Sequence, residues 1–363
     1  MRFVHTSDWQ LGLKLRFVAG EAGARARAQR FDTVREIARV ARERRVDAVV
    51  VAGDVFDDNA VGADTLQQAH DALAAFAPIV VLLLPGNHDA ATPDAALGRL
   101  AAQDHVRVLA APTPVEIAGG VFHPCPLTRR HEVADPTRHL EGRDPGDARV
   151  RVAVAHGGVV EFGEDTESPN RIDVPAVLAK GFDYLALGDW HSVLGFDERA
   201  WYAGTPEPTR FSERDPGQVL VVEIPRAGAP PRVEPVRVAR TRWLTRTVTL
   251  LEDEDVDALG RWFEGLEEKS WTLACLELEG QLSLGGRARL ETLLREVEGR
   301  LLHLRIARDG VVTTPSEADL AGLTGEGFVG RAVERLREEG DDRARDALLL
   351  LYRLRAALGE GTA

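Results

Sequence analysis

Three carboxylates follow a short apolar run near residue 50, and they are one group of residues in the chain that could take part in chemistry. The run 49–52 leads through Gly53 to Asp54, Asp57 and Asp58. Small and β-branched residues without polar alternation predict a strand buried on both faces, and glycine permits a sharp turn after it. Open α/β sheets bind ligands at the carboxyl ends of such strands. The carboxylates are therefore candidate metal ligands, although a lone aspartate here could equally cap the next helix.

Four further predicted strands also end in residues that can bind metal ions. These residues are Asp8 and Gln10, Asn87 and His88, His156, and Asp189 and His191. Residues two apart in an extended segment point to the same side, so Asp8 with Gln10, and Asp189 with His191, can each face one cation. Each residue alone has an ordinary explanation as a turn residue, a cap or a hydrogen-bonded histidine. Their repetition at successive strand ends predicts a single metal centre.

The elements that must position these residues alternate between strands and helices. The predicted strands begin near Arg2, near Val49 and at 79–84, with helices over 21–45 and 64–76 between them and a shorter helix over 95–103. This order implies right-handed crossovers and a largely parallel core. Further strands are predicted at 106–109, 115–122, 152–155, 183–188, 219–224 and 232–238. On the first helix, Arg25, Arg27 and Arg30 are interpreted as part of a solvated face.

Composition changes near residue 239. Strands and helices alternate over 240–315, which predicts a small α/β capping domain. The remainder, 316–363, is predicted to be a helical tail in which Phe328, Ala332, Val333 and Leu336 share a face and 347–352 is apolar all round. A helix without a polar face is usually buried. The tail is therefore expected to pack either on the protein's own cap or on a partner.

Bulk composition narrows the function classes. The 363 residues are 44% hydrophobic and 28% charged, with no stretch resembling a membrane span or a signal peptide, so a cytoplasmic protein without a membrane partner is expected. Cys125 and Cys275 are too few for a disulfide framework and are expected to be buried hydrophobes. The net charge of -13 argues against a strongly basic DNA-reading protein. It leaves room for an enzyme that contacts phosphates through metals and a few arginines.

The strand-end motifs resemble those of the calcineurin-like metallophosphoesterases, over about the first 240 residues. Within that superfamily, the segments 5–12 (HTSDWQLG) and 53–57 (GDVFD) look like the bacterial SbcD-type nuclease subunits. The resemblance implies an α/β fold, a β-sandwich flanked by helices over 1–239, with the capping domain and helical tail after it. It also implies a DNA exonuclease, with endonuclease activity as a second mode, that acts in DNA repair with an SMC-like ATPase docked on the tail. Homodimerisation is left open.

The resemblance also assigns roles to the residues of the motifs. Two divalent cations are implied, with Asp54 bridging them. The first would be held by Asp8, Gln10, Asp54 and His191, and the second by Asp54, Asn87, His156 and Asp189. His88 would act as the acid or the transition-state stabiliser, and the Asp57 carboxylate would orient it.

Two positions depart from the family pattern. Gln10 and Asp189 stand where histidines are usual, and both can still coordinate through oxygen. An oxygen-rich set favours Mn²⁺, with Mg²⁺ as the second choice, over softer ions. A weakened or single-metal site is the alternative that these departures raise.

Two other functions compete with a DNA nuclease. The same two-metal site would serve a small-molecule phosphodiesterase or a phosphatase. A non-enzymatic adaptor, with a structural metal site and a tail that recruits the ATPase, is the third hypothesis. Digestion of DNA, release of nitrophenol from bis-nitrophenyl phosphate, and the Mn²⁺ dependence of each reaction separate the three.

Overall fold

The computed structural model describes residues 1–159, 169–316, 319, 320, 323 and 328–360, without the side chains of 356–360. The chain divides into two compact units, Met1–Thr241 and Arg242–Ala363. The separation of a cap over 240–315 from a tail over 316–363 stays a prediction. Within the described residues, no helix is long and apolar enough to cross a membrane.

The described part of the first unit contains twelve strands and three α-helices. The strands are β1 (Arg2–Thr6), β2 (Ala48–Val51), β3 (Val80–Leu83), β4 (Val106–Val108), β5 (Val115–Ile117), β6 (Gly120–Cys125), β7 (Val150–His156), β8 (Tyr184–Gly188), β9 (Leu194–Gly195), β10 (Ala200–Tyr202), β11 (Gln218–Glu223) and β12 (Arg232–Arg237). The helices are α1 (Gly20–Glu43), α2 (Ala63–Ala74) and α3 (Val174–Ala179), with a 3-10 turn at Ala96–Leu100.

These strands form two six-stranded sheets. The first has the order β12-β11-β1-β2-β3-β4 and the second the order β5-β6-β7-β8-β10-β9. Strands β1 to β4 are parallel, as are β6, β7, β8 and β10, whereas β11 runs antiparallel to β1. The carboxyl ends of the parallel strands therefore meet at one edge of each sheet, which is where the predicted ligands follow them.

The two sheets pack face to face, and helices cover their outer faces. Val50 of β2 packs between the sheets with Phe122 of β6. Its neighbours Val49 and Val51 face the other way, in the cluster that holds Ile37 of α1. Strand β2 is therefore buried on both faces, as its apolar run predicted, and the α/β sandwich flanked by helices is confirmed.

Two predicted elements differ from the observed ones. The single strand predicted over 115–122 is the hairpin β5–β6, because Ala118 and Gly119 both have positive φ, 48° and 78°, and form the two-residue turn. The helix predicted over 95–103 is only the short 3-10 turn Ala96–Leu100. Gly98 lies in its middle and disfavours a longer α-helix.

The described part of the second unit begins with a three-stranded parallel sheet and two helices that follow its first two strands. Its strands, in the order β13-β14-β15, are β13 (Arg242–Leu250), β14 (Thr272–Leu282) and β15 (His303–Thr313). The helices α4 (Glu254–Glu264) and α5 (Leu284–Glu298) follow β13 and β14, and a 3-10 turn spans Lys269–Trp271. Phe263 of α4 and Leu290 of α5 pack with Leu276 and Leu278 of β14.

Two helices, α6 (Phe328–Glu339) and α7 (Asp342–Glu360), end the described chain. Val333 of α6 and Leu348 of α7 are buried with Leu284 of α5, so part of the tail packs within its own unit. The remaining apolar surface stays exposed. Phe328 is 80% exposed, and the other members of this surface are Val329, Leu350 and Leu354.

Candidate metal centre

The loops after five parallel strands bring all seven predicted ligands to one edge of the first unit. Asp8 and Gln10 follow β1, Asp54 follows β2 and Asn87 follows β3, whereas His156 ends β7 and Asp189 and His191 follow β8. Most of these side chains are withdrawn from solvent. Asp8 and His156 are fully buried and Asp54 is 2% exposed, whereas Asn87 and Asp189 are half-buried.

Short distances connect these side chains. Asp8, Asp54 and His156 each offer a ligand atom, and the three atoms lie within 4.8 Å of one another. His156 Nε2 lies 3.5 Å from Asp54 Oδ1, 3.7 Å from Asp189 Oδ1 and 3.2 Å from Asn87 Oδ1. These are the four members of the second predicted ligand set.

The other predicted set surrounds His191. Its Nε2 lies 3.2 Å from the Gln10 side-chain nitrogen and 3.9 Å from Asp8 Oδ1. The main-chain N–H of Asp189 donates to both carboxylate oxygens of Asp8, at 3.3 and 3.2 Å, which fixes that carboxylate between the sets. The assignment of each side chain to a particular cation stays a prediction.

Both histidines present Nε2 to the centre because their other nitrogen is engaged. His156 Nδ1 donates to the main-chain oxygen of Ala52 at 2.8 Å, and His191 Nδ1 lies 2.7 Å from Glu213 Oε1 and 3.0 Å from Thr209 Oγ1. A carbonyl or carboxylate that accepts from one ring nitrogen fixes the tautomer in which the other can bind a metal. The donor set therefore fits divalent cations.

The backbone is strained at the same positions. Asp8, Gln10, Asp54 and Asp189 have positive φ values of 51°, 45°, 54° and 104°. Non-glycine residues rarely adopt this region, and such residues concentrate at functional sites. Gly86 closes the cradle, because a Cβ there would lie 2.2 Å from Asp54 Oδ1.

The electrostatics of the metal-free centre favour binding of cations. Burial, opposed by His156 and reinforced by Asp89 and Asp8, raises the pKa of Asp54. Burial would lower the pKa of His156, but the carboxylates of Asp54, Asp8 and Asp189 outweigh it and raise the pKa to about 9. Buried carboxylates held close together favour positive charge beside them, and divalent cations supply that charge.

The predicted catalytic residues lie beside this cluster. His88 is half-buried, its Nε2 lies 3.9 Å from Asp54 Oδ2, and its main-chain N–H donates to Asp54 Oδ1 at 2.9 Å. His88 Nδ1 lies 2.7 Å from the main-chain oxygen of Asp57. The prediction that the Asp57 carboxylate orients His88 is therefore wrong, because the main-chain carbonyl of Asp57 makes the contact instead. Because a carbonyl only accepts, Nδ1 carries the hydrogen and Nε2 faces the centre.

Sequence reasoning missed three supporting residues. Arg30, predicted on a solvated face, is 2% exposed and donates to the main-chain oxygens of Trp9, Glu207 and Pro208, so it connects the loop of Asp8 and Gln10 to the loop before Thr209. The spacing contained a signal, because Arg30 lies four residues before the buried Val34 on the same helical stripe. Asp89 and Glu213 are the other two.

Asp89 accepts from the main-chain N–H groups of Gly86 and Phe56 at 2.8 and 3.1 Å, so it connects the loops after β3 and β2. Burial would raise the pKa of Glu213, but hydrogen bonds from His191 and Thr209 outweigh it and hold that pKa below its ordinary value. Glu213 therefore remains an ionised partner for His191.

We expect Glu213→Gln to weaken metal binding by about tenfold to 100-fold, which is typical for loss of a partner behind a ligating histidine. Glutamine keeps the size and an acceptor oxygen but removes the charge that makes His191 basic. Isothermal titration with Mn²⁺ measures the change. The exposed Glu116→Gln is the matched control, and equal affinities for the two variants would exclude this role for Glu213.

Comparisons with known proteins agree with the chemistry of the centre. Residues 1–217 match the family model described as calcineurin-like phosphoesterase. The SbcD component of the SbcCD nuclease of Bacillus subtilis (strain 168) is 23% identical over 348 residues, which cover 84% of this chain and 85% of that protein. The corresponding protein of Escherichia coli (strain K12) is 27% identical over 255 residues, covering 59% of this chain and 62% of that protein.

Proposed function

The chain belongs to the calcineurin-like phosphoesterases, and on that basis we propose that it is a metal-dependent DNA nuclease, an exonuclease with endonuclease activity as a second mode. The observation that carries the proposal is the convergence of carboxylate, amide and imidazole donors around Asp54, at the facing strand ends of two sheets. The similarity to a nuclease component over most of the chain supports DNA as the substrate.

The proposed ions are two divalent cations, Mn²⁺ first and Mg²⁺ second. The support is the chemistry of the donors, since each proposed set contains one imidazole and otherwise oxygen ligands. When bound, such a pair would supply Lewis-acid polarisation of a phosphodiester and activation of water as the nucleophile.

The chain's own groups hold charge and protons around that chemistry. Asp54 is the buried carboxylate next to both sets, and its Oδ1 accepts a hydrogen bond from the main-chain N–H of His88. His88 presents Nε2 towards the centre and is only half-buried, so its ring can reach a phosphodiester bound there. We propose that it protonates the leaving oxygen or stabilises the transition state.

The test of this function compares two substrates under a Mn²⁺ titration. We expect the purified protein to shorten linear DNA and to release nitrophenol from bis-nitrophenyl phosphate, with both activities lost in EDTA. Nitrophenol release without any DNA digestion would favour a small-molecule phosphodiesterase. If neither substrate is cleaved at any Mn²⁺ concentration, the adaptor hypothesis replaces the enzyme.

Metal preference depends, in this proposal, on the two oxygen donors where histidines are usual. We expect the double variant Gln10→His, Asp189→His to shift the activity order among Mn²⁺, Mg²⁺, Co²⁺ and Zn²⁺ towards the ions that favour imidazole. The measurement is the DNA digestion rate with each ion at saturation. An unchanged order would show that Gln10 and Asp189 do not tune the metals.

We further propose that the protein works in DNA repair in the cytoplasm, with an SMC-like ATPase docked on its C-terminal helices, and that it can form a homodimer. The support for docking is the apolar surface that α6 and α7 leave exposed after packing within their own unit, above all Phe328 and Leu350. Amphipathic helices commonly bind partner helices through such surfaces.

The docking surface is tested without disturbing the buried face of the tail. We expect Leu350→Ser with Leu354→Ser to abolish co-purification with a co-expressed ATPase, because both side chains are more than half exposed and contribute little to folding. Val133→Ser, which changes a 98% exposed side chain in the first unit, is the matched control. Undiminished co-purification of the double variant would place the ATPase elsewhere.

A further inference from the structure

A groove of about 660 Å³ opens beside the candidate metal centre, within the first unit. Two of its lining residues also support the centre itself. The carbonyl of Asp57 is hydrogen-bonded to His88, and Thr209 Oγ1 lies 3.0 Å from His191 Nδ1. The groove therefore adjoins the residues that hold His88 and His191 in place, and its volume is in the range that small ligands occupy.

One aromatic ring lines the groove, and a second ring packs beside it. Phe17 lines it and is 41% exposed, and its ring centroid lies 6.2 Å from that of Phe211, with the planes tilted by 49°. Phe211 follows Thr209 by two residues, so the pair adjoins the support of His191. An exposed phenylalanine ring beside a phosphodiester site offers a stacking surface for a nucleobase.

Positive charge lies next to the aromatic pair. Lys14 and Arg16 are exposed and line the groove on the same segment as Phe17, and the exposed Arg210 precedes Phe211. The chain has a net charge of -13, so this local positive charge is opposite in sign to the overall balance. The acids that line the groove, Asp57 and Asp58, belong to a different segment. Cations beside aromatic rings are the usual means of binding an unpaired strand.

We propose that this groove binds the nucleotide next to the scissile phosphate of an unpaired DNA strand, with its base against Phe17 and its phosphate at Lys14 and Arg16. The inference rests on the proposed nuclease function and assigns to it a subsite for one unpaired nucleotide. A base within a duplex cannot stack on Phe17 in this way, because duplex bases are already stacked on each other and present no free face to an aromatic ring.

The stacking contact is tested with a single-stranded oligonucleotide and with copies in which one abasic position is moved along the strand. For the wild type, we expect an abasic position next to the cleaved bond to raise KM by about tenfold, which is typical for loss of one stacked base. Phe17→Leu should raise KM for the intact strand by a similar factor and remove the abasic penalty. Phe17→Tyr, which keeps the ring, should behave as the wild type. Equal KM values for the Leu and Tyr variants, or an abasic penalty that persists in Phe17→Leu, would overturn the proposal.

The charge contact is tested by binding alone, so that it does not depend on cleavage. Fluorescence anisotropy of the labelled oligonucleotide in EDTA measures affinity against salt concentration. We expect Arg16→Gln to lower the slope of log affinity against log salt by about one. Arg226→Gln is the matched control, since Arg226 follows β11, whose end pairs with the start of β1 at the opposite edge of the sheet.

Identical slopes for the two arginine variants would show that Arg16 does not contact a phosphate of the oligonucleotide. If the wild type binds the oligonucleotide with these properties but cleaves no DNA, the proposed nuclease function fails and the binding site remains. If the wild type cleaves DNA but the Phe17 and Arg16 variants match their controls, the nuclease function remains and the groove proposal fails.

Discussion

Asp54→Asn is expected to abolish Mn²⁺-dependent hydrolysis of DNA, with a loss of about 10³-fold or more, because both proposed cations lose their shared anionic ligand. Asparagine keeps an oxygen that can accept the main-chain N–H of His88, which Asp54 Oδ1 accepts at 2.9 Å. The backbone contact is thus retained while the charge is removed. Asp54→Ala, which removes both, should lose the same activity.

The Asp54→Asn variant should be at least as stable as the metal-free wild type. The folded-state pKa of Asp54 lies above its ordinary value, with burial as the main cause, so folding favours the protonated carboxyl group. Stability of the wild type in EDTA therefore falls as pH rises from the ordinary carboxyl range through the raised folded-state value. The asparagine side chain cannot ionise, so the stability of the variant does not fall with pH for this reason. We expect its melting temperature at about pH 8 in EDTA to equal or exceed that of the wild type.

Three measurements separate function from folding in this experiment. Elemental analysis reports bound Mn²⁺, thermal unfolding in EDTA reports stability, and oligonucleotide digestion reports activity. Asp64→Asn, at an exposed carboxylate in the first turn of α2, is the matched control and should retain metal and activity. Substantial Mn²⁺-dependent cleavage by Asp54→Asn would exclude the bridging role.

The framework of the site could be predicted because it follows from local rules. Apolar runs without alternation identify central strands, and Gly53 and Gly86 identify the turns after two of them. Parallel strands bring their carboxyl ends to one edge, so Asp8, Asp54 and Asn87 come together without knowledge of any tertiary contact. Their meeting with His156 also needs the second sheet to face the first, which the resemblance implied and the packing of Val50 on Phe122 confirms.

The supporting contacts could not be predicted because they are tertiary. Glu213 reaches His191 from 22 residues away, and nothing in its own neighbourhood distinguishes it from a surface acid. Arg30 reaches Glu207 across 177 positions. The choice between the carbonyl and the carboxylate of Asp57 depends on the backbone orientation after β2, which spacing alone leaves open. Local pattern thus predicts which ligands meet at the strand ends, whereas the residues that support them and the atoms in contact depend on tertiary packing.

His88→Ala is expected to lower the rate of DNA hydrolysis by about 10²-fold or more while both cations remain bound. His88 belongs to neither proposed ligand set, and its main-chain N–H, which contacts Asp54, survives the substitution. Elemental analysis should therefore find the wild-type metal content. His70→Ala, at a partly exposed histidine of α2, is the matched control.

Two substrates with different leaving groups distinguish the two proposed roles of His88, general acid and transition-state stabiliser. A sugar oxygen needs a proton as it departs, whereas nitrophenolate is stable without one, so a general acid matters for DNA and hardly for bis-nitrophenyl phosphate. If His88 supplies that proton, His88→Ala should slow DNA cleavage about 10²-fold and nitrophenol release far less. If it instead stabilises charge on the phosphoryl oxygens, both reactions should slow by similar factors, because the transition state of each reaction carries that charge. A variant that loses its Mn²⁺ would contradict both roles and make His88 part of the ligand set.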